Sequence, residues 1–101
     1  MTSYNLVNGI PASANWESIN AILRGEWGYD GVVMTDRWTH TNIEDELAAG
    51  SDVKMPELIT YTWDDAPDAY NLTESLFNSK LDRSVAYAAV RRILMMMGKF
   101  E

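Results

Sequence analysis

A chain of 101 residues with a net charge of −7, four Trp, five Tyr and no Cys forms at most one small domain. Its 47% hydrophobic content excludes a disordered tail, the lack of Cys excludes disulfides and thiolate metal sites, and its acidic charge argues against nucleic-acid binding, which needs clustered Lys and Arg. With this charge, neutral ligands such as sugars, or protein surfaces, fit better. We expect no membrane span and no signal peptide, because no apolar run has the required length or flanking charges.

The first third of the chain contains a predicted strand, a helix and a second strand. Residues 1–7 have the mixed polarity of a strand and precede a loop rich in turn-forming residues. Asn15 is a candidate N-cap for an amphipathic helix, which is expected to end near Gly25 or Gly28. The short apolar run at 31–36, GVVMTD, is typical of a strand that is buried on both faces in a parallel sheet.

A second helix and a third strand follow. Thr41 and Glu44 have the S/T-x-x-E spacing of a capping box, which predicts a helix that begins there and ends at Gly50. The acidic residues of its first turn, through Glu46, are expected to complement the positive end of the helix dipole. Residues 51–55 form a third, weaker predicted strand.

The last part of the chain is predicted to be helical. A loop over 56–67 leads to a helix over 68–77, and a final helix that begins near Asp82 carries apolar residues at helical spacing. Strands that alternate with helices imply parallel strands joined by right-handed crossovers. Three such units cannot close a barrel of eight and leave both sheet edges unprotected, so the chain is expected to be a piece of something larger.

Four blocks of sequence carry a resemblance to a known family. They are MTSYNLVNGIPASAN, LRGEWGYDGVVMTD, AAGSDVKMPE and VRRILMMMGKFE, which together extend over nearly the whole chain. In this order and at these spacings they resemble successive blocks of glycoside hydrolase family 3, which comprises β-glucosidases, β-xylosidases and β-N-acetylglucosaminidases. The SYN-x-x-NG-x-P block is more similar to the β-glucosidase and β-xylosidase branch.

The resemblance implies a fold and a set of partners. The blocks look like the last three β/α units of the family's amino-terminal (β/α)8 TIM-type barrel, so residues 1–101 are expected to form part of one α/β barrel domain, with no internal boundary. The other barrel strands and a following α/β sandwich domain, which supplies the acid/base, are the implied protein partners, and a β-glycoside is the implied substrate. This chemistry requires no metal and no organic cofactor. The cellular location stays open.

Asp36 ends the GVVMTD run, and the residues alone support two interpretations of its carboxylate. It either caps the next helix or is a reactive group at the rim of a pocket, and the strand pattern by itself favours the cap. The resemblance reverses this preference, because Asp36 matches the family's catalytic nucleophile in the V-V-x-S/T-D pattern. A retaining glycosidase needs such a carboxylate and a second carboxyl group about 5–5.5 Å away, which protonates the leaving oxygen.

The resemblance also implies that three further residues contact the substrate. Tyr4, in the SYN block, is expected to lie near the nucleophile and to orient its carboxylate; an ordinary buried Tyr is the alternative. Arg37 departs from the family pattern, since it stands where a Trp that walls the sugar site is usual, and Trp38 is displaced by one position. Arg37 either pairs with Asp36 and lowers its pKa, contacts an acidic or unusual sugar, or points to solvent.

Structural roles are predicted for other polar and sulfur-containing residues. Asp52 is expected to make structural hydrogen bonds near the last strand, and Asp30 fits a turn before the 31–36 run. His40 is expected to be a surface or capping residue rather than a metal ligand. The run of Met95 to Met97 is expected to supply flexible packing rather than a cofactor site.

Two hypotheses about function follow. In the first, the chain derives from a retaining, β-glucosidase-like enzyme that cleaves terminal β-linked sugars through a covalent intermediate on Asp36. The 101 residues alone are then expected to be inactive, because the acid/base and most sugar-binding side chains lie elsewhere. In the second hypothesis, the chain is a non-catalytic α/β module that self-associates through exposed strand edges.

Overall fold

The computed structural model describes residues 1–37, 39, 41–55 and 72–100, which form a mixed chain with short strands and several helices. In chain order, the elements are strands β1 (Leu6–Val7) and β2 (Ile10–Pro11), a 3-10 helix (Ala12–Ala14), a π-helix (Glu17–Glu26), and the α-helices α1 (Ile43–Ala48), α2 (Leu72–Phe77) and α3 (Arg83–Gly98). No helix in this described part is both long and apolar enough to cross a membrane.

The amino-terminal strand is much shorter than predicted. Within residues 1–7 only β1 is a strand, and it pairs with β2 in an antiparallel arrangement rather than with a parallel strand. Asn8 and Gly9 both have positive φ angles, +51° and +80°, which is the backbone of a tight type I′ hairpin turn. The prediction of a strand over 1–7 was therefore wrong in extent: only residues 6–7 form a strand, and the Asn-Gly turn pairs them with residues 10–11.

The π-helix confirms the helix expected after Asn15. The Asn15 side-chain oxygen accepts a hydrogen bond from the Ser18 N–H at 2.9 Å and so caps the first turn. At the other end, Trp27 N–H donates to the Ile22 carbonyl at 3.0 Å, a spacing of five residues. The helix ends at Glu26, and Gly28 has a φ of +70°, which allows the chain to turn away.

The two predicted central strands do lie side by side and run parallel, although only one residue pair forms a ladder. Met34 and Val53 make an isolated parallel bridge. The Thr35 N–H donates to the Val53 carbonyl at 2.9 Å, and the Asp52 N–H donates to the Val33 carbonyl at 2.7 Å. The Thr2 N–H donates to the Met34 carbonyl at 2.8 Å, which places the amino terminus beside the same segment.

Helix α1 begins one residue later than the capping-box pattern predicted. Its N-cap is Asn42, whose side-chain oxygen accepts from the Asp45 N–H at 2.8 Å. The Asn42 amide also donates to the Asp45 carboxylate at 2.8 Å. The expected Thr41–Glu44 box is therefore wrong, and the hydroxyl of Thr41 instead donates to the carboxylate of Glu46.

The carboxyl-terminal part of the chain packs against α1 in one of the two buried clusters. Helix α3 begins after Asp82, whose carboxylate accepts from the Ser84 N–H at 2.8 Å, as the sequence predicted. The predicted loop at 56–67 and the first residues of the predicted helix over 68–77 lie outside the described residues, and α2 covers its end. One buried cluster joins α1 to these helices through Ile43, Leu47, Leu81 and Ala89. A second buried cluster joins the π-helix to the parallel segment through Ile19, Val33 and Ala49.

The row of three methionines in α3 does not pack in the described core. Met95, Met96 and Met97 are each exposed by more than a third of their surface. The expectation that they are packing residues is therefore wrong for the 101-residue chain by itself.

Candidate active site around Asp36

Asp36 lies at the carboxyl end of the parallel pair, and the residue before it is firmly held. Thr35 is fully buried, its N–H donates to the Val53 carbonyl, and its hydroxyl oxygen accepts from the Met55 N–H at 3.0 Å. Side chains alternate along this segment, so that Val33 and Thr35 are buried while Met34 and Asp36 are only partly covered on the other side. The Asp36 carboxylate is therefore presented at a strand end with one face open.

Two hydrogen bonds hold the Asp36 carboxylate in its ionised form. The Tyr4 side chain donates one, and this bond is the largest cause of an Asp36 pKa below its usual value. The Arg37 N–H donates the other to Oδ1 at 2.7 Å. Asp36 does not cap α1, since Asn42 does so. Tyr4 is 49% exposed, so the alternative of an ordinary buried Tyr is also wrong.

Of the residues predicted around Asp36, the structure describes Arg37 but not Trp38 or His40. Arg37 directly follows Asp36, and within the described residues no ion pair joins the two side chains; its backbone N–H makes the contact instead. The positive charge of Arg37 lowers the Asp36 pKa less than either hydrogen bond does. Trp38 and His40 lie outside the described residues.

A buried ion pair that the sequence did not predict lies next to the turn after Asp36. Lys54 Nζ donates to Glu46 Oε2 at 2.6 Å, and both side chains are almost fully buried. The same ammonium donates to the Thr39 hydroxyl and to the Thr41 carbonyl, each at 3.1 Å. Glu46 lies in the first turn of α1, as expected, but the sequence did not predict that it is buried and paired with Lys54. Nothing in the local sequence around Glu46 indicates that its partner is Lys54, in the segment of residues 51–55.

A second buried charge cluster surrounds Asp52 and confirms its predicted structural role. One carboxylate oxygen accepts from Arg24 Nη2 and from the Val33 N–H, both at 2.9 Å. The other oxygen accepts from Arg92 at 2.7 Å. Burial lowers the pKa of Arg24 below its usual value, and the charge of Asp52 opposes this shift. Asp52 thus connects the π-helix, the parallel pair and α3.

The acidic side chains of the described residues do not cluster as metal ligands. Among residues 1–37, 39, 41–55 and 72–100, no group of three or more His, Cys, Asp or Glu side chains is arranged to hold a metal ion. The buried carboxylates of Glu46 and Asp52 are instead paired with Lys54, and with Arg24 and Arg92.

Comparisons with known proteins identify relatives of this chain. No protein-family model matches the chain. A probable β-glucosidase J of Aspergillus fumigatus is 37% identical over 97 residues, which cover 93% of this chain and 10% of that protein. A β-glucosidase of Rhizobium radiobacter is 35% identical and covers all of this chain, with 12% of its own length. The structure of β-glucosidase 3B from Thermotoga neapolitana superposes with a TM-score of 0.77 at 34% identity, over 91% of this chain and 13% of that one.

The chain is a glycoside hydrolase family 3 β-glucosidase-like segment. A further solved family 3 relative, the β-D-glucoside glucohydrolase of Trichoderma reesei, superposes with a TM-score of 0.75 at 26% identity, over 91% of this chain and 13% of that one. The chain spans about a tenth of the length of the curated relatives it matches. The β-glucosidase relatives give it a glycoside hydrolase origin.

Proposed function

We propose that this family 3 segment carries the nucleophile of a retaining β-glucosidase-like enzyme, and that the nucleophile is Asp36. The observation that carries the proposal is the state of its carboxylate, which Tyr4 and the Arg37 N–H keep ionised at the open end of a buried parallel segment. A nucleophilic carboxylate must be ionised and fixed in direction, and both hydrogen bonds serve these ends. The names of the relatives support a β-linked glucoside as the substrate class.

The proposed reaction takes place in two displacements. In the first, an Asp36 carboxylate oxygen bonds to the anomeric carbon while the bond to the leaving oxygen breaks, and a carboxylic acid outside this chain protonates that oxygen. In the second, the same outside group removes a proton from water, the water oxygen attacks the anomeric carbon, and Asp36 leaves as a carboxylate. Tyr4 orients the carboxylate, and Arg37 and Trp38 contact the sugar.

The proposed setting of these residues is a larger barrel. We place residues 1–101 in one (β/α)8 TIM-type barrel domain, where the parallel Met34–Val53 bridge is part of a longer ladder. The superpositions on two solved β-glucosidases support this setting. So does the position of Asp36, because barrel enzymes build their sites at the carboxyl ends of strands.

The proposed protein partner is the remainder of the longer enzyme. Apolar side chains along the outer side of α3 are more than half exposed, namely Tyr87, Val90, Leu94 and Met97. An apolar surface of this kind is typical of an interface rather than of a solvated helix. Without that remainder, the 101 residues have negligible activity, because the acid/base is absent and positioning supplies much of an enzyme's acceleration.

Covalent labelling tests the assignment of the nucleophile. The longer enzyme is treated with a 2-fluoro glucoside, which slows the second displacement, and the labelled peptide is identified by mass spectrometry. We expect the label on Asp36 and no label in an Asp36→Asn variant. A label on another residue refutes the assignment. Turnover of an aryl glucoside by the 101 residues alone, lost in Asp36→Asn, refutes the inactivity of the isolated segment.

A further inference from the structure

We propose that Thr39, Glu46 and Lys54 are positioning residues for Asp36: the buried Glu46–Lys54 ion pair fixes the turn that follows the nucleophile through the hydroxyl of Thr39. This inference rests on the proposed function, since it assigns to these residues a part in the reaction of Asp36. None of the three is expected to touch the sugar.

The contacts converge on one hydroxyl group. Thr39 Oγ1 donates to Glu46 Oε1 at 2.5 Å and accepts from Lys54 Nζ at 3.1 Å. The Thr39 side chain is buried, as are Glu46 and Lys54. The Thr41 hydroxyl donates to the same Glu46 oxygen, and the Thr41 carbonyl accepts from Lys54, so the turn is held at two points.

Asp36 consequently has a fixed residue on each side of it. Before it, Thr35 is held to Val53 and Met55 by a backbone and a side-chain hydrogen bond. After it, Thr39 is held to Glu46 and Lys54. Because Lys54 lies between Val53 and Met55 in sequence, both attachments lead to the same segment of chain. The Arg37 N–H that donates to Asp36 lies between the two attachments.

The side on which these residues lie explains why they act through Asp36 and not on the substrate. Along the strand segment, Thr35 is buried toward the helices while Asp36 is presented on the opposite side. Lys54 contacts Glu46 of α1, on the helix side. An ion pair that is fully buried adds little stability over an apolar pair of the same volume, but it imposes directional contacts on what surrounds it. Here the ion pair orients the hydroxyls of Thr39 and Thr41, which follow Asp36 in the chain.

A set of small substitutions in the longer enzyme tests the inference. Thr39→Val removes the hydroxyl and keeps the shape, whereas Thr39→Ser keeps the hydroxyl and removes a methyl group. We expect Thr39→Val to lower kcat for an activated aryl glucoside about tenfold to a hundredfold with little change in KM, since small misplacements of a reacting group have effects of this order. We expect Thr39→Ser to retain wild-type kcat. Ser75→Ala is the matched control, because the buried Ser75 hydroxyl also donates to a glutamate of α1, Glu44, and is expected to leave kcat unchanged.

The outcomes separate this inference from the proposed function. Loss of kcat in Thr39→Val with recovery in Thr39→Ser supports positioning through the hydroxyl. If Thr39→Val and Thr39→Ser are equally active, or lose kcat equally, the positioning inference is overturned. The proposed function then still stands as long as Asp36→Asn is inactive. Full activity of Asp36→Asn overturns both. If Thr39→Val does not fold, the double variant Glu46→Gln/Lys54→Met, which leaves no unpaired buried charge, takes its place: a lowered kcat supports the inference, and wild-type kcat overturns it.

Discussion

The side chain of Tyr4 donates a hydrogen bond to the carboxylate of Asp36, joining the amino-terminal segment to the end of the parallel pair. Tyr4 lies before the β1–β2 hairpin, and the nearby Thr2 N–H bonds to the Met34 carbonyl at 2.8 Å. The hydroxyl therefore reaches Asp36 because the backbone of residues 2 and 34 is already in contact. This bond is the main reason why the Asp36 pKa lies below its ordinary value of 3.8.

Removal of the Tyr4 hydroxyl is expected to raise the pKa of Asp36 toward its ordinary value. In Tyr4→Phe the carboxylate keeps the Arg37 N–H but loses its largest stabilising contact. Because the folded-state pKa is depressed, the stability that this carboxylate contributes is present above the unfolded value of 3.8 and is lost as the pH falls through the folded value. Tyr4→Phe should reduce that contribution. The measurement is a carbon-13 NMR titration of the Asp36 carboxyl group.

Tyr29→Phe is the matched control for this titration. The Tyr29 hydroxyl donates to the Val32 carbonyl at 3.0 Å and does not contact Asp36. Its removal should leave the Asp36 titration where it is in the unchanged chain. An Asp36 pKa that rises equally in both variants would show that the Tyr4 hydroxyl is not the cause.

Neutralisation of Asp52 is expected to destabilise the fold strongly. Asp52→Asn leaves the partly buried guanidiniums of Arg24 and Arg92 without their counter-charge, and breaking a buried ion pair typically costs about 3–5 kcal/mol. Asp30→Asn is the comparison, because Asp30 pairs with Lys99 at the surface, where such pairs contribute less than about 1 kcal/mol. Urea unfolding of both variants gives the two free energies. Equal losses would contradict the central role of Asp52.

Substitution of Asn42, the N-cap of α1, is expected to lower the free energy of unfolding by more than an average surface substitution does. Asn42→Ala removes the acceptor of the Asp45 N–H, and loss of such a cap typically costs about 1 kcal/mol. Asn42→Ser keeps an N-cap oxygen and should restore most of this stability. Thermal unfolding followed by circular dichroism measures the difference. A result in which Asn42→Ala melts like the unchanged chain would exclude Asn42 as the cap.

Local sequence patterns predicted features whose causes lie within a few residues. Asp82 caps α3 and Asn15 caps the π-helix, since in each case the donor lies two or three positions ahead. The turn at Asn8 and Gly9 also had a local signal, since the Asn-Gly pair opens the predicted loop, but the pattern did not predict that residues 10–11 return as a paired strand. The choice between Thr41 and Asn42 failed because two adjacent residues can both cap a helix.

Long-range partners explain what the sequence did not predict. Glu46 fits the pattern of a helix first turn, and only the fold reveals that Lys54 and two Thr hydroxyls surround it. The approach of Tyr4 to Asp36 was expected only through the family resemblance, because no local pattern links the two positions. Met95 to Met97 show the converse case, in which an apolar pattern was taken to indicate packing, but each side chain is more than a third exposed.

The outer side of α3 is expected to drive association of the isolated chain. Tyr87, Val90, Leu94 and Met97 recur at spacings of three and four residues and form one exposed apolar row, with exposures between 51% and 69%. Replacing Val90 and Leu94 with Lys should abolish the concentration-dependent increase in mass measured by sedimentation velocity, since burial of this row is the driving force.

A matched pair of substitutions distinguishes this row from the strand edge. Leu6 and Ile10 lie on the β1–β2 hairpin and are also about half exposed or more. Changing both to Lys should leave association through α3 intact, because the hairpin is only two residues long on each side and offers few unpaired backbone groups. If the hairpin variant is monomeric and the α3 variant still associates, the strand edge is the interface. If the unchanged chain stays monomeric at high concentration, the exposed row of α3 does not associate with a second copy.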